Sequence, residues 1–167
     1  MISHSSEDKK VSDFVYDLLV FNGVLSSSII YASTDNSDSR IPQKTDIFDY
    51  LREFFVESYS TEKIYVLYVA SEYLAKSWPA MSEVGAGWIA QSDHDIFIVN
   101  DFKPLKPLDV DCEWATVLYH DDVLNLTKKE ADKIAEKIIY MCEEIGSGSK
   151  SKSQLKNEIA RIANIVG

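Results

Sequence analysis

The stretch Lys63–Ser71, KIYVLYVAS, limits the fold more than any other part of the chain. From Ile64 to Ala70 every side chain is apolar or aromatic. A strand with one wet face alternates apolar and polar residues, and this one does not, so it is covered on both faces. Strands of that kind belong to parallel sheets, whose crossover helices lie against both sides.

The rest of the chain fits that frame. Met1–His4 reads as the end of a first strand, SSIIYAS (27–33) as a second, DIFIVN (95–100) as a fourth and WATVLY (114–119) as a fifth. Helical spacing of Val11, Phe14, Val15, Leu18 and Leu19 predicts a helix after the first strand, with Ser6 as its N-cap and Gly23 as its stop. DIFDYLREFFVES (46–58) is amphipathic, and PAMSEVGAGWIAQS (79–92) carries Pro79 in its first turn. LTKKEADKIAEKIIYMCEEIG (126–146) has a Thr127–Glu130 capping box and a stripe of Ala131, Ile134, Ala135, Ile138, Cys142 and Ile145. The expected object is an α/β domain over 1–145, a five-stranded parallel sheet with helices on both faces. A flexible linker, GSGSKSKS at 146–153, and a lone amphipathic helix over 154–167 follow it. A helix that short either packs back on the domain or begins another module.

In such sheets ligands sit beyond the carboxyl ends of the strands, where the strand order reverses. Three loops fall there: SHSSED (3–8), STDNSDSRIP (33–42) and SEYLAKSWP (71–79). Composition narrows what they could hold. The net charge of −10 argues against nucleic acid and against an anionic membrane surface. Cys112 and Cys142 form no CxxC pair and have no histidine nearby in sequence, so neither zinc nor a disulfide framework is expected. No apolar run approaches the ~20 residues of a membrane span and no signal peptide is read, so a cytoplasmic protein is expected. Neither GxGxxG nor GxxxxGK[ST] occurs, and His4 has no evident partner for a nucleophilic triad.

Glu83 stands out within SWPAMSEVGAGW (77–88). Its helical neighbours are Pro79, Ala80, Ala86 and Gly87, so little bulk surrounds it. The expected core stripe is Met81, Val84, Gly85 and Trp88, which points Glu83 away from the sheet. Spacing alone leaves two readings: a solvated helix carboxylate, or a carboxylate that a ligand can approach closely.

The order ISHSSEDKK (2–10), IPQKTDIFDYLREFF (41–55), YVLYVASEYLAKS (65–77) and SEVGAGW (82–88) resembles the bacterial TIR (Toll/interleukin-1 receptor) domain. The resemblance implies a flavodoxin-like fold and cleavage of NAD+ at the nicotinamide–ribose bond, giving ADP-ribose or a cyclic isomer, in antiphage immunity. It implies Glu83 as the catalytic carboxylate and the 33–42 loop, with Ser33 and Arg40, as a gate over the site and a contact between TIR domains. His4 and Ser5 match positions lining the nucleotide pocket, Ile47 an apolar position near it, and Trp78 offers a ring to stack on a base or on nicotinamide. NAD+ is then a substrate, and neither a cofactor nor a metal is implied. Activation by self-association follows from the same resemblance. The alternatives are a TIR module that only docks other TIR domains, and a nucleoside deoxyribosyltransferase-like enzyme, which shares the fold and a catalytic glutamate.

Overall fold

Strand β2 (Tyr65–Ala70) shows why the apolar run is continuous. Val66, Tyr68 and Ala70 enter one core, and Leu67 and Val69 enter the other. The structure, a computed structural model, describes residues 1–41, 46–61, 64–89, 93–104, 108 and 113–167, apart from the side chains of 47, 57–61 and 113–114. Strand β1 (Ile2–Ser3) pairs in parallel with β2, β2 with β3 (Asp93–Val99), and β3 with β4 (Glu113–His120). Strand β5 (Val123–Thr127) returns antiparallel to β4, and β6 (Asn164–Val166) closes the sheet parallel to β5.

Helices cover both faces. On one, α1 (Lys9–Asn22), α5 (Lys128–Glu144) and α6 (Lys152–Ile162) enclose the larger core, with Val11, Leu18, Ile134, Ile138, Leu155 and Ile159 all but inaccessible. On the other, α2 (Ile47–Thr61), α3 (Glu72–Lys76) and α4 (Trp78–Ile89) pack Leu51, Phe55, Leu74, Ala80 and Val84 against β2 and β3. Gly23 ends α1 at φ 109°, a left-handed conformation that costs glycine little. Among the described residues no helix is long and apolar enough to cross a membrane.

Several expectations need correction. The sheet has six strands, and it is not wholly parallel. The added strand β5 comes from a tight hairpin: Asp121 and Asp122 take φ 49° and 62°, the handedness that matches the twist of flanking strands. No second strand forms at 27–33. Residues 26–28 make a 3-10 turn, and Ile2 N donates to Ile30 O at 2.9 Å, so this segment lies beside β1. With only two residues in β1, a longer ladder has no partner there. Ser5, not Ser6, caps the first turn, and Asp8 stands at the N-cap of α1 without a side-chain bond to it. Thr127 caps α5 through Glu130 N, but the Glu130 carboxylate accepts from Thr116 N at 3.0 Å instead of completing a box.

The C-terminal helix packs back on the domain and starts at Lys152, not at 154. Its capping box is complete between Ser151 and Gln154. The segment before it is tied down: Asn22 Oδ1 accepts from Lys150 N at 2.7 Å while Asn22 Nδ2 donates to Cys142 Sγ at 2.9 Å. Cys142 is buried and free, and Cys112 lies outside the described residues.

Candidate active site

The face of α4 turned to the sheet is Ala80, Val84 and Gly87, not the expected Met81, Gly85 and Trp88. Met81 and Trp88 are exposed, Trp88 at 65%. Small residues at 80 and 87 let the helix axis approach the strands. The rotation carries Glu83 inward, between Ala80 and Gly87 on the buried side, instead of out to solvent.

There Glu83 meets β1. Ser3 Oγ donates a short hydrogen bond to Glu83 Oε2, across 80 residues of sequence. Ser3 is fully buried and its backbone pairs with Tyr68. Burial pushes the Glu83 carboxyl up to about 7, against the opposing pull of the Ser3 hydroxyl and the Met1 ammonium. Burial also drives the Met1 amino group down to about 5, and Glu83 partly restores it. The Tyr68 phenol is held above its ordinary value by burial and then by the nearby Glu83 charge. A carboxyl raised by burial and set beside a cavity makes this the candidate site.

The cavity is about 180 Å³ and brings the three loops together. His4 and Ser6 line it from the first loop, Ser33 and Ile41 from the second with Ala32 just before it, Ser77 and Pro79 from the third, and Ala80 and Glu83 from α4. His4 joins two of these loops, since its Nε2 lies 2.7 Å from Ser33 Oγ. Its Nδ1 faces Ile2 O at 3.4 Å, and its ring stands edge-on to Tyr31 at 4.9 Å. Burial holds the His4 pKa below its usual value, so the ring is neutral at pH 7 and Nε2 can accept the Ser33 hydroxyl proton. The loop is fixed further back by Ser39, whose carbonyl accepts from Tyr31 N at 2.8 Å and whose hydroxyl donates to Ser26 O.

The other residues read from the sequence fall elsewhere. Ser5 is buried and its hydroxyl accepts from Glu7 N at 3.5 Å, so it shapes the turn and Ser6 reaches the cavity in its place. Arg40 is exposed on the loop and does not line the cavity. Trp78 is 78% exposed and stands on the rim between two lining residues, Ser77 and Pro79. Ile47 begins α2, with its side chain outside the described residues, as are Pro42 and the remainder of the loop to 45. Sequence reasoning missed Ser3, and its one visible signal was a hydroxyl at the carboxyl end of the expected first strand.

Two other cavities compete with this one. The larger, about 660 Å³, lies around Leu19, Val24, Ile29, Leu67 and Met141, and among the described residues no carboxylate, imidazole or thiol side chain lines it. The second, about 250 Å³, contains Asp95, a carboxylate already engaged by Tyr65 Oη and by Lys137 Nζ at 3.5 Å. Among the described residues no group of three or more metal-binding side chains occurs.

No family model and no solved structure matches the chain. It is similar to the uncharacterized protein YddK of Bacillus subtilis (strain 168), with 36% identity over 102 residues. That match covers 61% of this chain and 36% of YddK, so the chain spans little more than a third of this relative's length.

Proposed function

We propose that the chain is a TIR domain that cleaves NAD+ between nicotinamide and ribose, with Glu83 as the catalytic carboxylate. The observation that carries this reading is the placement of Glu83: inward on α4, held by Ser3, in a cavity at the carboxyl ends of the parallel strands. The segment at 29–31 beside β1, followed across the sheet by β2, β3 and β4, is compatible with a flavodoxin-like order. The family resemblance of the four motifs supports the same reading.

The chemistry needs few groups. The C1′–N bond breaks with its electron pair going to the nicotinamide nitrogen, which leaves neutral. The ribose is left with oxocarbenium character, and an ionised carboxylate beside C1′ stabilises that charge. Water, or a nucleophilic atom of the ADP-ribose itself, then attacks C1′, and its proton passes to Glu83 or to solvent. A cavity of 180 Å³ is below the usual range for a whole ligand, so it takes the nicotinamide–ribose end, with the rest along the rim near Trp78. His4 and Ser33 offer hydrogen bonds to the ribose hydroxyls.

Incubating concentrated protein with NAD+ and separating the products by chromatography tests the reading. Nicotinamide release by the wild type, lost about 100- to 1,000-fold in Glu83→Gln with an unchanged fold, supports it. Release that persists in Glu83→Gln removes Glu83 from the chemistry.

A second reading, a docking module without catalysis, is favoured by the exposed Trp88 and Ile89 on α4. Activation by self-association, for which the resemblance implies contact through the 33–42 loop, and a role in bacterial antiphage immunity belong to the same proposal. Concentration-dependent association without nicotinamide release would select the docking reading.

A further inference from the structure

We propose that Ser3 is the positioning residue for Glu83: it ties Oε2 to the central sheet and leaves Oε1 as the oxygen presented to substrate. The inference rests on the reading of Glu83 as the reacting carboxylate, and it adds a residue which that reading does not require.

Three observations carry it. First, Ser3 is itself immobile. It is fully buried, and its backbone is fixed by the parallel ladder at the Ser3–Tyr68 pair. Its hydroxyl is therefore placed by the sheet and not by a flexible loop. Second, α4 does little to place Glu83. A glutamate has three rotatable side-chain bonds, and its helical neighbours Ala80, Ala86 and Gly87 lack the bulk to restrict them. Third, among the described residues Ser3 is the hydrogen-bond donor shown to Glu83. A bond from a fixed hydroxyl to one carboxylate oxygen selects one rotamer and one face of the carboxylate.

The same bond sets the charge state. A donor to a carboxylate favours the ionised form. Ser3 thus opposes the burial that would keep Glu83 protonated and unable to stabilise a cationic ribose. The other groups acting there are the Met1 ammonium just before β1 and the Tyr68 phenol on β2, with His4 lining the same cavity. Met1 assists ionisation, but its own burial favours the neutral amine, which withdraws that help above pH 5. At neutral pH the serine hydroxyl is the steadier of the two.

The test uses Ser3→Ala, Ser3→Thr and Glu83→Gln, with two readouts. Steady-state NAD+ cleavage across pH 5 to 9 should show Ser3→Ala losing roughly 10- to 100-fold in kcat with little change in KM, and its acid limb displaced upward. Ser3→Thr keeps the hydroxyl on a side chain suited to a strand, and should restore most of the rate. The second readout needs no turnover: the Glu83 carboxyl resonance is titrated by carbon-detected NMR, assigned by its loss in Glu83→Gln. Its midpoint should rise in Ser3→Ala and return in Ser3→Thr.

An unchanged midpoint together with an unchanged rate in Ser3→Ala overturns the proposal. If the wild type releases no nicotinamide, the enzymatic reading fails, while the titration still decides whether Ser3 controls Glu83. Should Ser3→Ala not fold, Ser3→Cys, close in size and a weaker donor, takes its place, and an unshifted midpoint there overturns the proposal equally.

Discussion

A buried carboxyl and a half-buried one in this molecule are built alike and end differently. Asp8 and Glu83 each accept a hydrogen bond from a serine at the end of a strand, Ser71 after β2 and Ser3 in β1. Burial raises both pKa values, and the serine hydroxyl lowers both. Yet Asp8, 1% exposed, is enclosed at the start of α1, where Ser71 also caps α3 by accepting from Leu74 N at 3.0 Å. It fastens the first loop to the third. Glu83 opens on a cavity that those loops surround. Burial and a raised pKa alone therefore do not separate a structural acid from a candidate reactive one, and Glu83 differs from Asp8 in the open volume beside it.

The comparison breaks most sharply under paired amide substitutions. Glu83→Gln should lower NAD+ turnover about 100- to 1,000-fold, and Asp8→Asn should leave it unchanged once folding is verified by circular dichroism. Equal losses in both would mean that the two carboxyls share one role. Next in size is a loss of stability remote from both acids. Leu155→Ala, at a fully buried site in the α1–α5–α6 core, should cost about 2–5 kcal/mol in urea denaturation while the turnover per folded molecule stays the same. A parallel fall in activity would make the turnover assay a measure of folding.

The pH dependence of stability sharpens the contrast further. Glu83 has a folded pKa of about 7 against an ordinary 4.5, so between those values the folded state holds a proton that the unfolded state has released. Its contribution to stability falls as pH rises through that window, and above it the penalty is of order 3 kcal/mol. The Met1 amine, lowered from 8.0 to about 5, has the opposite slope between those values. In the wild type the two slopes offset each other between about pH 5 and 7. Glu83→Gln should leave only the rising slope, so that at pH 8 it is more stable than the wild type by about 1–3 kcal/mol and at pH 4 by nearly nothing. Denaturation at a series of pH values reads this directly, and a pH-independent difference would refute the assignment. The smallest effect is expected at Gly85→Ala, which removes a helix-weakening glycine where a methyl meets open space. It should stabilise the fold by about 1 kcal/mol in thermal melts and leave turnover intact.

Much of the scaffold was legible because long-period patterns carry it. The stripe Val11, Phe14, Val15, Leu18, Leu19 is buried as its spacing requires, and the unbroken apolar run of β2 divides its side chains between two cores. The α4 face was not legible. That helix is so rich in small and apolar residues that no polar stripe marks its outer side, and the contrast needed to orient it is missing. The burial of Glu83 was lost with that orientation. Its bond to Ser3 joins residues 80 positions apart, which no local pattern reports. The hairpin at Asp121–Asp122 was written in the sequence, but with two aspartates in place of the commoner Asn-Gly.

The return of α6 has a practical consequence for anyone who would trim the chain. The Gly- and Ser-rich run at 146–151 looks like a natural boundary at which to cut. Asn22 clasps it, and beyond it Leu155 and Ile159 fill the seam between α1 and α5 while β6 covers the edge of β5. Cutting there would bare an oily trough and an unpaired strand edge together, the combination that leads to precipitation. Proteases should find this glycine-rich run a poor target, and a shortened protein that shows no activity would report on solubility before it reported on Glu83.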